Sequence, residues 1–250
     1  MMRATPASNS PEAPAHRLPS SPGHGAGDGA VDGLDPAWVL KRRVWSNRTT
    51  RGALTPKLVA LIGVLLNTSL THFDAAAARR AMLAARATGA SRREILAVLK
   101  LATSVGIHSY ATAAPAVRAA ALATDTALST RTAAPLHVLS ALRAAGQFNP
   151  AWEDIAAWDP DWLDAFAAVG ISAWTDGVLD IKSVELHCIA GDASVNHLWS
   201  SGVQRHAEAA LRAGAAIDEI LEVLRIVSLQ GLDSLDRGLA ILATLEQAEQ

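Results

Sequence analysis

Apolar positions along this chain recur at helical spacing, every three to four residues, and the segments they mark are bounded by recognisable helix signals. Residues 54–70 and 72–88 read as two helices, the second stopped at Gly89, a residue able to take the left-handed conformation that closes a helix. Ser91-Arg92-Arg93-Glu94 then has the spacing of a capping box, in which Ser and Glu each satisfy a backbone N–H at a helix start. Behind it Ile95, Val98, Leu99 and Ala102 form one apolar stripe, so a third helix begins near Arg92. Asp35-Pro36 and Asp159-Pro160 each join a capping Asp to a Pro suited to the first turn, and each predicts a short leading helix. Residues 111–146 are helix-compatible, with interruptions expected at Pro115 and Pro135. A final helix is expected over 235–250. No segment carries a strand signal of any length, and the predicted class is all-α.

The pattern is written twice. Residues 54–109 align without a gap with 179–234, at the offset of 125 residues that takes Leu54 to Leu179. Identical pairs include Lys57/Lys182, His72/His197, Arg80/Arg205, Gly89/Gly214, Glu94/Glu219, Ile95/Ile220 and Gly106/Gly231. An internal duplication divides the chain into a first repeat over 35–115, linker helices over 116–158, and a second repeat over 159–250. Residues 1–34 are rich in Pro, Ser, Gly and Ala without apolar periodicity. Such a segment buries too little surface to offset its ordering entropy and is expected to be a disordered tail.

Composition narrows the function classes. Half of the 250 residues are hydrophobic, enough for a substantial core, and the formal net charge of −2 favours neither a nucleic-acid nor a membrane-surface partner. The longest apolar run, Leu58–Leu66, is far shorter than the roughly 20 residues that span a bilayer. The start has no basic stretch followed by an apolar one, so a signal peptide is not expected. A single cysteine, Cys188, makes no internal disulfide and fits a cytoplasmic location. Residues 147–178 hold four of the seven tryptophans, which are expected to pack a leading helix onto the core.

The second repeat contains Leu179, Lys182, Glu185 and Leu186, then His206, Ala210, Leu211, Gly214 and Ala215, then Glu219, Ile220, Glu222, Val223 and Leu224. These residues match the phrase L-x-x-K-x-x-E-L, a helix ending H-x-x-x-A-L-x-x-G-A, and E-I-x-E-V-L. In them the chain resembles the carboxymuconolactone decarboxylase family, whose fold is the AhpD-like (alkylhydroperoxidase D-like) helical fold. Redox members of that family carry Cys-x-x-Cys-x-x-x-His. Here the two cysteine positions fall on Trp199 and Gly202 or on His197 and Ser200, depending on where the count begins, and neither set is a dithiol. Ser183 stands where the family has Arg. In the first repeat Ala60 and Ala81 replace Glu185 and His206, so the chemistry is expected in the second.

The resemblance implies a small carboxylated or lactone-type ring-cleavage product as substrate, and decarboxylation or a related proton transfer as the reaction. His206 would be the proton donor; Gly202, Ala209 and Ala210 leave space beside its ring. Glu185 lies mid-helix among apolar residues and needs a partner, with His206, His197 and Lys182 as the options. Lys182 and Arg205 are candidates for a substrate carboxylate, with His197 and Trp199 beside them. His197, shared with His72, also suits a structural role. His187, His197 and His206 lack metal-site spacing, so no metal is assigned, and no motif calls for an organic cofactor. Cys188 reads as a small core residue. An alkylhydroperoxidase-type antioxidant and a non-catalytic binding protein are the alternatives. The resemblance also implies a homo-oligomer, a ring of three chains. Because repeat 1 has alanine at both polar positions, alanine at either Glu185 or His206 is expected to leave stability nearly unchanged.

Overall fold

The computed structural model describes residues 35–127, 137–144 and 148–248, and every regular element among them is helical. The first 34 residues, expected to be a tail, and Pro135 lie outside the described residues. Helix α1 (Pro36–Asn47) starts as its sequence predicts, with the Asp35 carboxylate accepting from Trp38 N at 2.9 Å. Then follow α2 (Pro56–Thr68), a 3-10 turn (Leu70–His72), α3 (Ala75–Ala87) and α4 (Arg92–Ser104). The expected start of α3 at His72 is three residues early. Asp74 caps the helix by accepting from Ala77 N at 2.8 Å, which leaves His72 in the turn.

Helix α5 (Ile107–Ala123) runs through Pro115, where an interruption was expected. One lost backbone bond is tolerated because alanines flank the proline and Ile107, Ala111 and Ala114 are buried on one side. Helices α6 (His137–Ala144), α7 (Glu153–Trp158), α8 (Pro160–Gly170) and α9 (Ser172–Thr175) lead into the second unit. That unit consists of α10 (Ile181–Ala193), α11 (Ser200–Arg212), α12 (Ile217–Ser228) and α13 (Gly231–Ala248). The last helix begins four residues before its expected start.

The bounds of α10 and α11 are those of α2 and α3 moved by the 125-residue offset. Gly89 and Gly214 end α3 and α11 at φ 88° and 87°. Beyond them Ala90 N and Ala215 N reach back to Ala85 O and Ala210 O, closing the same C-terminal motif twice. The equivalent pairs Lys57–Glu94 (2.7 Å) and Lys182–Glu219 (2.9 Å) tie the first helix of each unit to its third. At the Ser91 capping box both bonds form, whereas Ala216 leaves only the return bond from Glu219.

The main core lies between α2 and α10, where Leu61, Ile62, Val64, Val184, Leu186 and Ile189 are buried with Val98 of α4 and Val223 of α12. Glu222, also fully buried, accepts from Arg51 N and Ala53 N at 3.0 Å each and so fixes the loop before α2. A second cluster joins α5, α6, α7 and α8 through Ile107, Leu139, Trp152, Ile155 and Leu163. Residues Arg92–Ala123 satisfy the length and composition of a membrane span, although Ile95, Val98 and Leu101 within them belong to the main core. The Ala-rich α5 supplies much of that hydropathy.

Candidate active site

Two buried polar side chains meet where α10 and α11 cross. The His206 ring nitrogen Nδ1 lies 2.6 Å from Glu185 Oε2, and Trp174 Nε1 donates to Glu185 Oε1 at 2.7 Å. Of the three partners open to Glu185, the structure selects His206. With Glu185 ionised, both carboxylate oxygens are occupied by N–H donors, and the ring nitrogen left for other partners is His206 Nε2. That nitrogen has Arg205 Nη1 at 3.5 Å and Asp192 Oδ2 at 3.8 Å.

A second group lies beside the first. His108 Nδ1 and His197 Nε2 are 2.7 Å apart, and Asp192 Oδ1 is 3.8 and 3.9 Å from them. Trp199 stacks on His108 with centroids 4.4 Å apart and planes within 10°. The loop that presents His197 and Trp199 passes through Leu198, whose φ of 50° is uncommon for a residue with a branched side chain. Trp199 N donates to Asp192 O at 2.8 Å and holds the loop against α10. Gly202 makes this approach possible: a Cβ there would stand 2.0 Å from Asp192 Oδ2. The absence of a side chain at 202, read in the sequence as space beside His206, also seats the carboxylate.

Burial sets the charge states. Asp192 is pushed up to about 6 by desolvation, against the opposing pull of His206 and Arg205. His108 is brought down to about 4, first by burial and then by repulsion from His197, His206 and Arg205. Burial lowers His197 as well. It raises the Cys188 thiol well above the usual thiol range, with Glu185 and Asp192 adding to the effect, so a reactive thiolate is disfavoured.

A cavity of about 650 Å³ opens onto both groups. Glu185, His206, Arg205, His108 and Trp199 line it on one side, and Phe148, Trp152, Phe166 and Trp174 supply an aromatic wall. Trp152 and Trp174 thus do more than the core packing expected of tryptophans in this region. Arg205 lines the cavity, but Lys182, the other candidate for a substrate carboxylate, does not: it donates to Glu219 and not to Glu185. His187 is fully buried on α10 with Nδ1 donating to Ser183 O at 2.7 Å, away from His197 and His206. His72 meets Asp233 at 2.6 Å across the two units, and His197 meets His108, the residue equivalent to Asp233. Both histidines therefore serve contact between the two units, and His197, expected beside the substrate, is not among the residues that line the cavity.

Trp174, Asp192 and His108 are the residues that sequence reasoning missed. Asp192 had a usable signal: it stands seven residues after Glu185, two turns along the same face of an otherwise apolar helix. Trp174 and His108 had none stronger than the need of a buried ring N–H for an acceptor.

No family model matches the sequence, and no curated protein matches it. Among solved structures, one from Burkholderia xenovorans, provisionally named a gamma-carboxymuconolactone decarboxylase subunit, is similar over nearly the whole fold. The two share 27% identity and superpose with a TM-score of 0.81, covering 89% of this chain and 91% of the other.

Proposed function

Starting from a chain that has the all-α, AhpD-like fold and resembles a carboxymuconolactone decarboxylase in three dimensions, we propose that it is a lyase-type enzyme acting on a small carboxylated or lactone ring-cleavage product. The observation that carries this reading is the buried Glu185–His206 contact at the wall of a large cavity. In the reaction the substrate C–CO₂⁻ bond breaks and CO₂ departs. The electron pair passes into a neighbouring carbonyl or double bond, and a proton is then delivered to carbon from Nε2 of the His206 imidazolium. The imidazole regains its proton from water. Glu185 stabilises the imidazolium and fixes the ring through Nδ1, while Trp174 fixes Glu185. Arg205, which lines the cavity, would meet the substrate carboxylate, and the aromatic wall would cover its unsaturated carbons.

The antioxidant alternative is weaker on this geometry, because the one thiol is held protonated by burial and has no resolving partner in the sequence. The test is CO₂ release from a panel of carboxylated lactones in D₂O, with mass spectrometry to locate deuterium. Wild-type protein is expected to place one deuterium at the carbon that lost CO₂. His206→Asn should slow turnover by roughly 100-fold or more, the usual contribution of a positioned acid–base group. Unchanged turnover in that variant would remove His206 from the mechanism.

The chain is also proposed to act as a homo-oligomer, as a ring of three. Support comes from an apolar groove of about 750 Å³ between α3 and α4, rimmed by Leu70 and Phe73, which are 84% and 65% exposed. Light scattering should give a trimer mass, and Phe73→Glu should shift it toward the single chain. A wild-type monomer at micromolar concentration would reject the assembly.

A further inference from the structure

We propose that His108, His197 and Asp192 form a binding site for a divalent transition metal ion of the zinc type, with one coordination position open toward the cavity. The donor set is two imidazoles and one carboxylate, a combination suited to zinc and to ferrous iron. The separations among the three donor atoms are 2.7, 3.8 and 3.9 Å. The circle through three such points has a radius of about 2.1 Å, which is the length of zinc–nitrogen and zinc–oxygen bonds, roughly 2.0–2.2 Å. One ion at its centre would reach all three donors at once.

A simple hydrogen bond between the two imidazoles does not account for the arrangement. It satisfies one N–H and one lone pair, but leaves the carboxylate 3.8 and 3.9 Å from the rings, beyond hydrogen-bond reach. Asp192 is 3% exposed, and its Oδ2 has no hydrogen-bond partner among the described residues. A carboxylate buried this deeply is costly without a counter-charge, and a cation on Oδ1 would supply one. The surroundings also fit a built site. Trp199 stacks on His108 and fixes its ring, and Gly202 leaves the room that Asp192 occupies.

Loading the ion changes the site in a defined way. In the metal-free form the two ring planes are within 8° of parallel, and one ring donates N–H to the other. The ion takes the place of that proton, which moves to the second nitrogen of the donor ring, so both rings stay neutral. Tetrahedral ligands at about 2.0–2.1 Å require all three donor separations to come to about 3.3 Å, so the facing nitrogens open and the carboxylate closes on them.

The site comes from both repeats, His108 from the first and Asp192 and His197 from the second. It stands apart from the acid–base reading of His206. If the two act together, the open position would receive a substrate oxygen next to His206, whose Nε2 is 3.8 Å from Asp192 Oδ2.

The experiment uses the full chain without an affinity tag, stripped with a chelator and titrated with Co²⁺ and Zn²⁺. One ion per chain is expected, with the visible absorption of low-symmetry cobalt on nitrogen and oxygen ligands. His197→Gln and Asp192→Asn should each weaken Zn²⁺ binding by at least about 100-fold, the upper range for loss of a mere supporting contact. His16→Gln and His24→Gln, outside the proposed donor set, should leave it unchanged. Nitrogen-15 spectra of the wild-type imidazoles give a reading that does not depend on any variant folding. Zn²⁺ should shift Nδ1 of His108 and Nε2 of His197 and change the tautomer of one ring. Equal affinity in wild type, His197→Gln and Asp192→Asn, or imidazole signals unmoved by Zn²⁺, would overturn the site. Absence of CO₂ release from wild-type protein that still binds Zn²⁺ would instead count against the acid–base reading alone.

Discussion

Replacing Glu185 and His206 by alanine together is expected to cost less stability than the sum of the two single replacements, and no more than the worse single. Each single variant strands a partner. Without His206, Glu185 is a buried carboxylate with only the Trp174 N–H to meet it; without Glu185, both that N–H and His206 Nδ1 lose their acceptor. A buried group left unsatisfied costs about 1–3 kcal/mol. The figure stays below the 3–5 kcal/mol of a sealed ion pair because both residues line a cavity that water can enter. The double variant removes the stranded charge with its partner. The first unit already contains that arrangement 125 positions earlier, where Ala60 and Ala81 are 3% and 0% exposed. Urea unfolding of the four proteins should therefore give a coupling energy of about 1–3 kcal/mol, as for residues in direct contact. Simple additivity would mean that the pair does not act as a unit. The sequence-based expectation that either alanine alone is harmless needs this correction: the alanine copy shows that the pair can be lost, not that half of it can.

Acid should destabilise the protein through His187, and His187→Ile should remove that part of the loss. His187 is fully buried, and burial holds it down at about 4 from an ordinary 6.5. Between those values the unfolded chain binds a proton that the folded chain refuses. The linked stability is complete above pH 6.5 and is lost as pH falls toward 4. The loss amounts to about 3 kcal/mol, since each unit of difference is worth about 1.4 kcal/mol. The residue 125 positions earlier, on the helix whose bounds match, is Ile62, which is also fully buried, so isoleucine is the natural replacement. Unfolding free energies at pH 7 and pH 4.5 should differ more in wild type than in the variant, by about 2–3 kcal/mol. Comparing the two proteins cancels the titration of the carboxylates. Parallel loss in both would show that His187 takes up its proton in the folded state.

Local interactions made much of this protein legible in its sequence. Caps and helix stops are formed by residues within a few positions of each other, so Asp35, Ser91-Glu94, Gly89 and Gly214 mark their helices without tertiary information. The 125-residue recurrence of Lys57/Lys182 with Glu94/Glu219 marked two pairs of helices joined by the same ion pair, and Glu185 and His206 stood out because alanine stands 125 positions before each. What only the tertiary structure decided is which polar groups share a space. Lys182 was equally able to reach Glu185 on its own helix, but packing of α10 on α12 gives it Glu219. Trp174 reaches Glu185 only because α9 folds back over α10. His108 lies 89 positions before His197, and the two meet only because the first unit packs against the second. Asp192 becomes a site residue through the side chain that Gly202 lacks on the neighbouring helix. Sequence periodicity reports which face of a helix is apolar. It carries no record of which polar residue on one helix will stand opposite which on another, because that depends on the crossing of helices set by the whole core.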